Sequence, residues 1–181
     1  MENHILEKLK FPIGQFTIPD SPTLSQINQW IDILEAFPKQ IETITTSLST
    51  AQLQWKYRPD GWSIKQVVHH CADSHMNSII RFKLALTEET PTIKPYEEGD
   101  WALLSDSQSD DLTASKQIIY GVHHRLVALL KSLTDTQFNR TFYHPGSNME
   151  ITLAQNTALY AWHSQHHYAH IEQALNNEGA F

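Results

Sequence analysis

Apolar residues recur along this chain with a helical period in four separate stretches, and no stretch alternates convincingly enough to predict a strand. Beyond Ser21-Pro22, a helix-start signal, Leu24, Ile27, Ile31 and Leu34 share one face and predict a first helix. Pro38 is expected to break or kink it, since proline removes an amide donor and crowds the preceding turn; Ile41, Ile44 and Leu48 then continue the pattern in a second segment. The turn Tyr57-Arg58-Pro59-Asp60-Gly61-Trp62 leads into Ser63-Ile64-Lys65-Gln66, a hydroxyl N-cap with glutamine three residues on. A second helix starts there and runs to about Leu86, with Ile64, Val67, Val68, Cys71, Ile79 and Phe82 as its apolar positions. Ile119, Val122, Leu126, Leu129 and Leu133 predict a third helix over roughly 112–133. Thr152-Leu153-Ala154-Gln155 repeats the capping box and opens a fourth, reaching about Leu175.

The stretches between these helices are long. Residues 1–20 carry Pro12 and Pro19 and read as an extended N-terminal arm. Residues 88–111 hold Pro91, Pro95, Gly99 and several acids without a sustained period, and predict a long loop, with Tyr96 and Trp101 as anchors; loops of this length in compact domains often act as lids. A further loop carries His144-Pro145-Gly146. The expected fold is all-α: one domain over residues 1–181, an antiparallel four-helix bundle with long connecting loops.

Composition sharpens this picture in three places. With 40% apolar residues, including five Trp, seven Phe and six Tyr, the chain can fill one sizeable core. A net charge of −7, with no basic run, argues against a nucleic-acid partner, which requires clustered Lys and Arg. One cysteine, Cys71, excludes an intramolecular disulfide and fits a reducing compartment. The N-terminus lacks the apolar core of a secretory signal and no window approaches a membrane span, so a cytoplasmic location away from membranes is expected.

Of the eleven histidines, seven lie on the second and fourth helices: His69, His70 and His75, and His163, His166, His167 and His170. The line Asn156, Tyr160, His163, His167, His170, Ala174 follows the alternating four and three spacing of a bundle seam. Such a seam should be apolar, because imidazoles buried without partners are costly. His163 and His167, at i and i+4, can converge on one ion. The facing line Ser63, Val67, His70, Ser74, Asn77, Arg81 is polar at the same depth and favours His70 over His69 as a third ligand. Three imidazoles leave a coordination position open, as in catalytic rather than structural zinc sites. His69, His75 and His166 fall off both seams and read as surface or hydrogen-bonded residues. His170 fits an outer hydrogen-bonding role, a pocket wall or no role equally well. His123 and Tyr120 on the third helix line the same cavity or form a satisfied core pair.

The segments Gly61 to His70 (GWSIKQVVHH), Ala72 to Asn77 (ADSHMN), Arg81 to Glu88 (RFKLALTE) and Tyr160 to His167 (YAWHSQHH) resemble the YfiT branch of the DinB-like superfamily. Pro12-Ile13-Gly14, Ile93-Lys94-Pro95-Tyr96 and Phe142-Tyr143-His144-Pro145 extend the resemblance over nearly the whole chain. It implies a four-helix bundle, a homodimer, and one divalent ion per chain, zinc or nickel, held by His70, His163 and His167. It further implies either a metal-dependent hydrolase or an S-transferase that joins a low-molecular-weight thiol, such as bacillithiol, to an electrophile.

For hydrolysis a base should stand beside the metal, yet His163-Ser164-Gln165-His166-His167 lacks the glutamate of the zinc-protease motif. Asp73, one turn beyond His70, is the nearest candidate, as a base or as an acceptor for a ligand imidazole. For thiol transfer no base is needed, because a coordinated thiol loses its proton. Cys71 has no activating partner and is set aside as a nucleophile. Asn77, Arg81 and Tyr160 are candidates to hold a small polar or carboxylate-bearing substrate. A third class is a binding protein whose ion only fills the polar seam.

Overall fold

A computed structural model describes residues 3–181. Four long helices form the bundle: α2 (Leu24–Thr45), α4 (Ile64–Thr87), α6 (Thr113–Lys131) and α8 (Leu153–Asn176). Among the described residues four short helices complete the helical set: α1 (Asn3–Lys10), α3 (Thr50–Leu53), α5 (Glu98–Trp101) and α7 (Asp135–Phe138). Both anticipated capping boxes are formed, Ser63 with Gln66 and Thr152 with Gln155, and the same Ser/Thr-x-x-Gln device starts α2, α3 and α7. Each hydroxyl cap satisfies an otherwise orphaned amide and is worth about 1 kcal/mol.

The long helices pack in a ring, α2 against α8 and α6, and α4 against α6 and α8. Contacts of α4 with α8 run in opposite senses, His70 meeting His163 and Ser74 meeting Tyr160. The pair α2 and α6 is also antiparallel, with Lys131 bonded to Glu35 and Lys116 to Glu42. By contrast α4 and α6 run parallel, since Ser115 meets His69 and His123 meets His75. Parallel neighbours need a connection that returns the full length of the bundle, which is what the long segment between α4 and α6 supplies.

Three expectations are corrected. Pro38 does not end the first helix: α2 is continuous from Leu24 to Thr45 with Pro38 inside it. The amide that proline lacks would have bonded the Leu34 carbonyl, and that carbonyl instead takes a hydrogen bond from His123 Nδ1 at 2.6 Å. The N-terminal arm is not extended throughout, because Asn3–Lys10 is α1, with Lys8 and Lys10 in its last turn and Pro12 just past its end. It lies against α8, where Trp162 donates to the Gly14 carbonyl and Gln155 to that of Pro19. The segment around His144 is a β-hairpin, β1 (Thr141–His144) paired antiparallel with β2 (Met149–Thr152), and Ile93 of the long loop bonds the Tyr143 carbonyl.

That long loop is pinned rather than loose. Buried Lys65 bonds Asp110 and the Gln108 carbonyl, Gln66 bonds the Ala102 carbonyl, and Tyr96 and Trp101 pack with ring centres 4.4 Å apart. The turn before α4 requires glycine at Gly61, where a Cβ would come within 2.7 Å of the Arg58 side chain. No helix among the described residues is long and apolar enough to cross a membrane.

The core falls into two apolar clusters. One gathers Ile31, Leu34, Phe82, Leu126, Phe142 and Leu153; the other Phe37, Ile41, Val68, Cys71, Ile119 and Ile171. Between them, at mid-depth on three helices, lies a layer of histidines.

Candidate metal centre

The layer is built from His70 and His75 on α4, His123 on α6, and His163 and His167 on α8. Capping boxes fix where α4 and α8 begin, and regular helix then carries the side chains of both seam lines into the same interface. His70 Nε2 lies 3.1 Å from His163 Nε2, and the rings of His163 and His167 are 4.4 Å apart, edge to face. His70, His163 and His167 each offer a nitrogen within 4.8 Å of the other two. Trp62 covers this group, with ring centres 4.7 Å from His70 and 6.4 Å from His167.

The neighbouring histidines divide by their bonding. Both ring nitrogens of His69 are engaged, Nδ1 with Ser115 Oγ at 2.8 Å and Nε2 with the Ser109 carbonyl at 3.0 Å, so it ties down the loop and has no lone pair to give. His166, His167 and His170 form a second three-histidine group within 4.8 Å. In it, His170 spends Nε2 on the Lys10 carbonyl at 3.0 Å and turns Nδ1 toward His167 Nδ1 at 3.4 Å. His166 packs on Trp162, with ring centres 4.3 Å apart and a buried Nδ1 that has no protein partner. Of the two expectations for His69, His75 and His166, surface or hydrogen-bonded, the first fails because all three are buried, and the second holds for His69 and His75, whose ring nitrogens are all engaged.

Sequence reasoning missed how far the layer extends. His123 and Tyr120 both border an outer groove between α2 and α6, where Tyr120 is 64% exposed, but buried His123 also bonds His75 Nδ1 through Nε2 at 2.6 Å and so joins the layer. That groove, of about 810 Å³, contains no three-histidine group. His75 in turn faces His163 Nδ1 through Nε2 at 3.0 Å. The sequence signal available was Pro38, whose orphaned carbonyl partner requires a donor.

Other candidates are placed as follows. Asp73 is half-buried, and burial with nearby Asp106 pushes its carboxyl above the ordinary range, against the pull of His69. Asn77 donates its side-chain amide to the Asp73 carbonyl. Tyr160 is buried and its hydroxyl donates to the Ser74 carbonyl at 3.1 Å. Arg81, buried, lies a turn further along α4, near enough to His144 to add its charge to the burial that holds that imidazole's pKa down. The long loop brings Tyr96 to Ser74 and Tyr160, where burial pushes its phenol up. Cys71 is fully buried, and burial raises its thiol pKa far out of the nucleophilic range.

Burial also keeps the histidine layer uncharged. It pushes His70 and His123 down to about 4, and holds His75, His163 and His167 well below the ordinary imidazole value. Metal-free protein should therefore lose stability in acid with a defined sign. Above pH about 6.5 these groups are neutral in both folded and unfolded chains. As pH falls from there toward about 4 the unfolded chain takes up protons that the folded one refuses, so stability is full above the window and drops through it. Melting temperature measured against pH checks this, and a flat profile between pH 6.5 and 4 would contradict it.

A family model described as the DinB superfamily matches residues 33–171. The chain belongs to the DinB superfamily. Among its members, YfiT of Bacillus subtilis is 46% identical over 171 residues, covering 94% of this chain and 96% of the relative. A relative from Halalkalibacterium halodurans is 44% identical over 167 residues, 92% of this chain and 96% of its own length. Both carry the provisional label metal-dependent hydrolase. The solved structure of YfiT, described as an unusual four-helix bundle topology, matches with a TM-score of 0.92 over 95% of this chain and 98% of that one. This supports the YfiT branch of the DinB superfamily that the sequence motifs suggest. A mycothiol-dependent maleylpyruvate isomerase matches with a TM-score of 0.65 at 12% identity, over 87% of this chain and 63% of that one, and shares the fold alone.

Proposed function

We propose that this DinB-superfamily chain is a metal-dependent enzyme in which His70, His163 and His167 hold one divalent ion and leave a position open for a nucleophile, with hydrolysis as the first reading. The observation that carries it is the convergence of three imidazole nitrogens within 4.8 Å, in a layer of histidines between two apolar clusters. The donor set fits such an ion: neutral imidazoles accept zinc or nickel, and three protein ligands are the number that catalytic zinc sites use. Bound there, the ion supplies a Lewis acid able to ionise a water or a thiol at neutral pH.

The chain's own residues do the remaining work. Trp62 shields the group from bulk water on one side. The Tyr160 hydroxyl, held by Ser74, together with Asn77 and Arg81 further along α4, lines the approach taken by a small polar substrate. Asp73, its carboxyl pushed above the ordinary range by burial and Asp106, is the candidate carboxylate on α4, one turn beyond His70.

One observation favours a second reading, transfer of a low-molecular-weight thiol. Neither three-histidine group includes a carboxylate, and the side chain of Asp73 makes no hydrogen bond to a ligand imidazole among the described residues. Thiol activation needs no such base, whereas hydrolysis gains from one. The two readings separate in one experiment: protein purified without a histidine tag, loaded with zinc or nickel, is assayed against ester and amide substrates, and with small thiols plus a fluorogenic electrophile. Turnover that chelation abolishes is expected in one arm; metal-bound protein inactive in both would make it a binding protein.

A further inference from the structure

Two carbonyl groups that helix geometry leaves without a partner end on the histidine layer. Leu34 C=O is orphaned inside α2 because residue 38 is proline. Lys10 C=O is the last carbonyl of α1, beyond the reach of its own hydrogen-bond ladder. A carbonyl only accepts, and a neutral imidazole has one N–H and one lone pair, so each carbonyl dictates the tautomer of every imidazole linked to it.

From Leu34 the directions follow one by one. His123 donates from Nδ1 to Leu34 O (2.6 Å), which makes its Nε2 an acceptor. His75 must then donate from Nδ1 to His123 Nε2 (2.6 Å), which makes His75 Nε2 an acceptor. His163 must donate from Nδ1 to His75 Nε2 (3.0 Å), and its Nε2 is left as a lone pair 3.1 Å from the next imidazole along, at His70 Nε2. From Lys10 the second chain is shorter. His170 donates from Nε2 to Lys10 O (3.0 Å), so its Nδ1 accepts from His167 Nδ1 (3.4 Å) and His167 Nε2 is likewise left bare. Phe37 packs against both His75 and His123, with ring centres 5.4 and 5.2 Å away, and Tyr57 stacks on His170 at 3.7 Å, so the intermediate rings are clamped as well as bonded.

We propose that His75, His123 and His170 are positioning residues, and that two chains anchored on the Leu34 and Lys10 carbonyls lock the N–H of His163 and His167 on Nδ1 and present both Nε2 lone pairs to the metal position. This rests on the three-histidine metal reading for its purpose but not for its geometry. It gives Pro38 a role: the proline frees the carbonyl that orients the whole first chain. It also gives α1 one, since the second chain ends on that helix. His70 belongs to neither chain. In metal-free protein its Nε2–H is the donor to the bare His163 Nε2, so His70 is the ligand that must move its proton to Nδ1 when an ion enters.

Long-range ¹H–¹⁵N correlation spectra of the full chain, with and without zinc, read these tautomers directly. His75, His123, His163 and His167 should be protonated on Nδ1 and His170 on Nε2 in both states, while His70 changes tautomer on zinc addition. Zinc titration supplies a second readout: His75→Phe and His170→Phe should each weaken binding about 10- to 100-fold, the usual loss when a ligand imidazole loses its partner. Pro38→Ala restores an amide that competes for Leu34 O. It should lower zinc affinity several-fold while leaving the melting temperature equal or higher, a combination that general loosening of the fold does not produce. His123 protonated on Nε2, His170 protonated on Nδ1, or zinc affinity in His75→Phe and His170→Phe within twofold of the unaltered chain would overturn the inference. Failure of the unaltered chain to bind zinc would instead overturn the metal reading, and the tautomers of His75, His123 and His170 would still decide this one.

Discussion

His163→Ala and His167→Ala should each lower zinc affinity by roughly a hundredfold or more. Structural zinc sites are worth about 10–16 kcal/mol in total, so removing one of three imidazoles removes about 3 kcal/mol or more. His163 should be the more damaging position, because it sits between His70 at 3.1 Å and His75 at 3.0 Å and its loss leaves a buried nitrogen of each without a partner. Equilibrium competition with a chelator of known affinity measures the loss. His69→Ala is the control: that imidazole is adjacent in sequence to His70 but bonded through both nitrogens to Ser115 and Ser109, and its removal should leave zinc affinity nearly unchanged while loosening the 88–111 loop.

Phe37→Ala should be the most destabilising single truncation near the site, by about 3–5 kcal/mol, as for other fully buried aromatics. In a chain of this size that corresponds to a fall in melting temperature of roughly 6–20 °C. Phe37 also forms the apolar backing of His75 and His123, so zinc affinity should fall along with stability. Phe82→Ala separates the two effects. Phe82 is equally buried but belongs to the other apolar cluster, with Phe142 and Leu126, and its truncation should cost similar stability with little change in metal affinity. Equal losses of zinc binding in both variants would mean that the histidine layer is not held locally by Phe37.

The sequence was most informative where one local rule was sufficient. The two glutamine capping boxes located the starts of α4 and α8, and the polar seam on α8 singled out His163 and His167 before any geometry was known. Pro38 misleads because the rule that proline breaks helices assumes no outside group will take the freed carbonyl; His123, 89 positions beyond Leu34, does so. The partners of His75 are hidden for a related reason: it lies off the seam of α4, and only the parallel packing of α4 with α6 brings His123 against it. The hairpin β1–β2 escaped notice because four-residue strands are too short to show a period. Pairings across the bundle are tertiary facts, and periodicity along one helix holds no record of them.

The most direct measurement is anomalous diffraction from crystals of the untagged chain grown with zinc. One ion per chain is expected, at about 2.0–2.1 Å from Nε2 of each of His70, His163 and His167, with a non-protein ligand in the remaining position. An ion bound instead by His166 and His170, or no ordered ion between α4 and α8, would contradict the account.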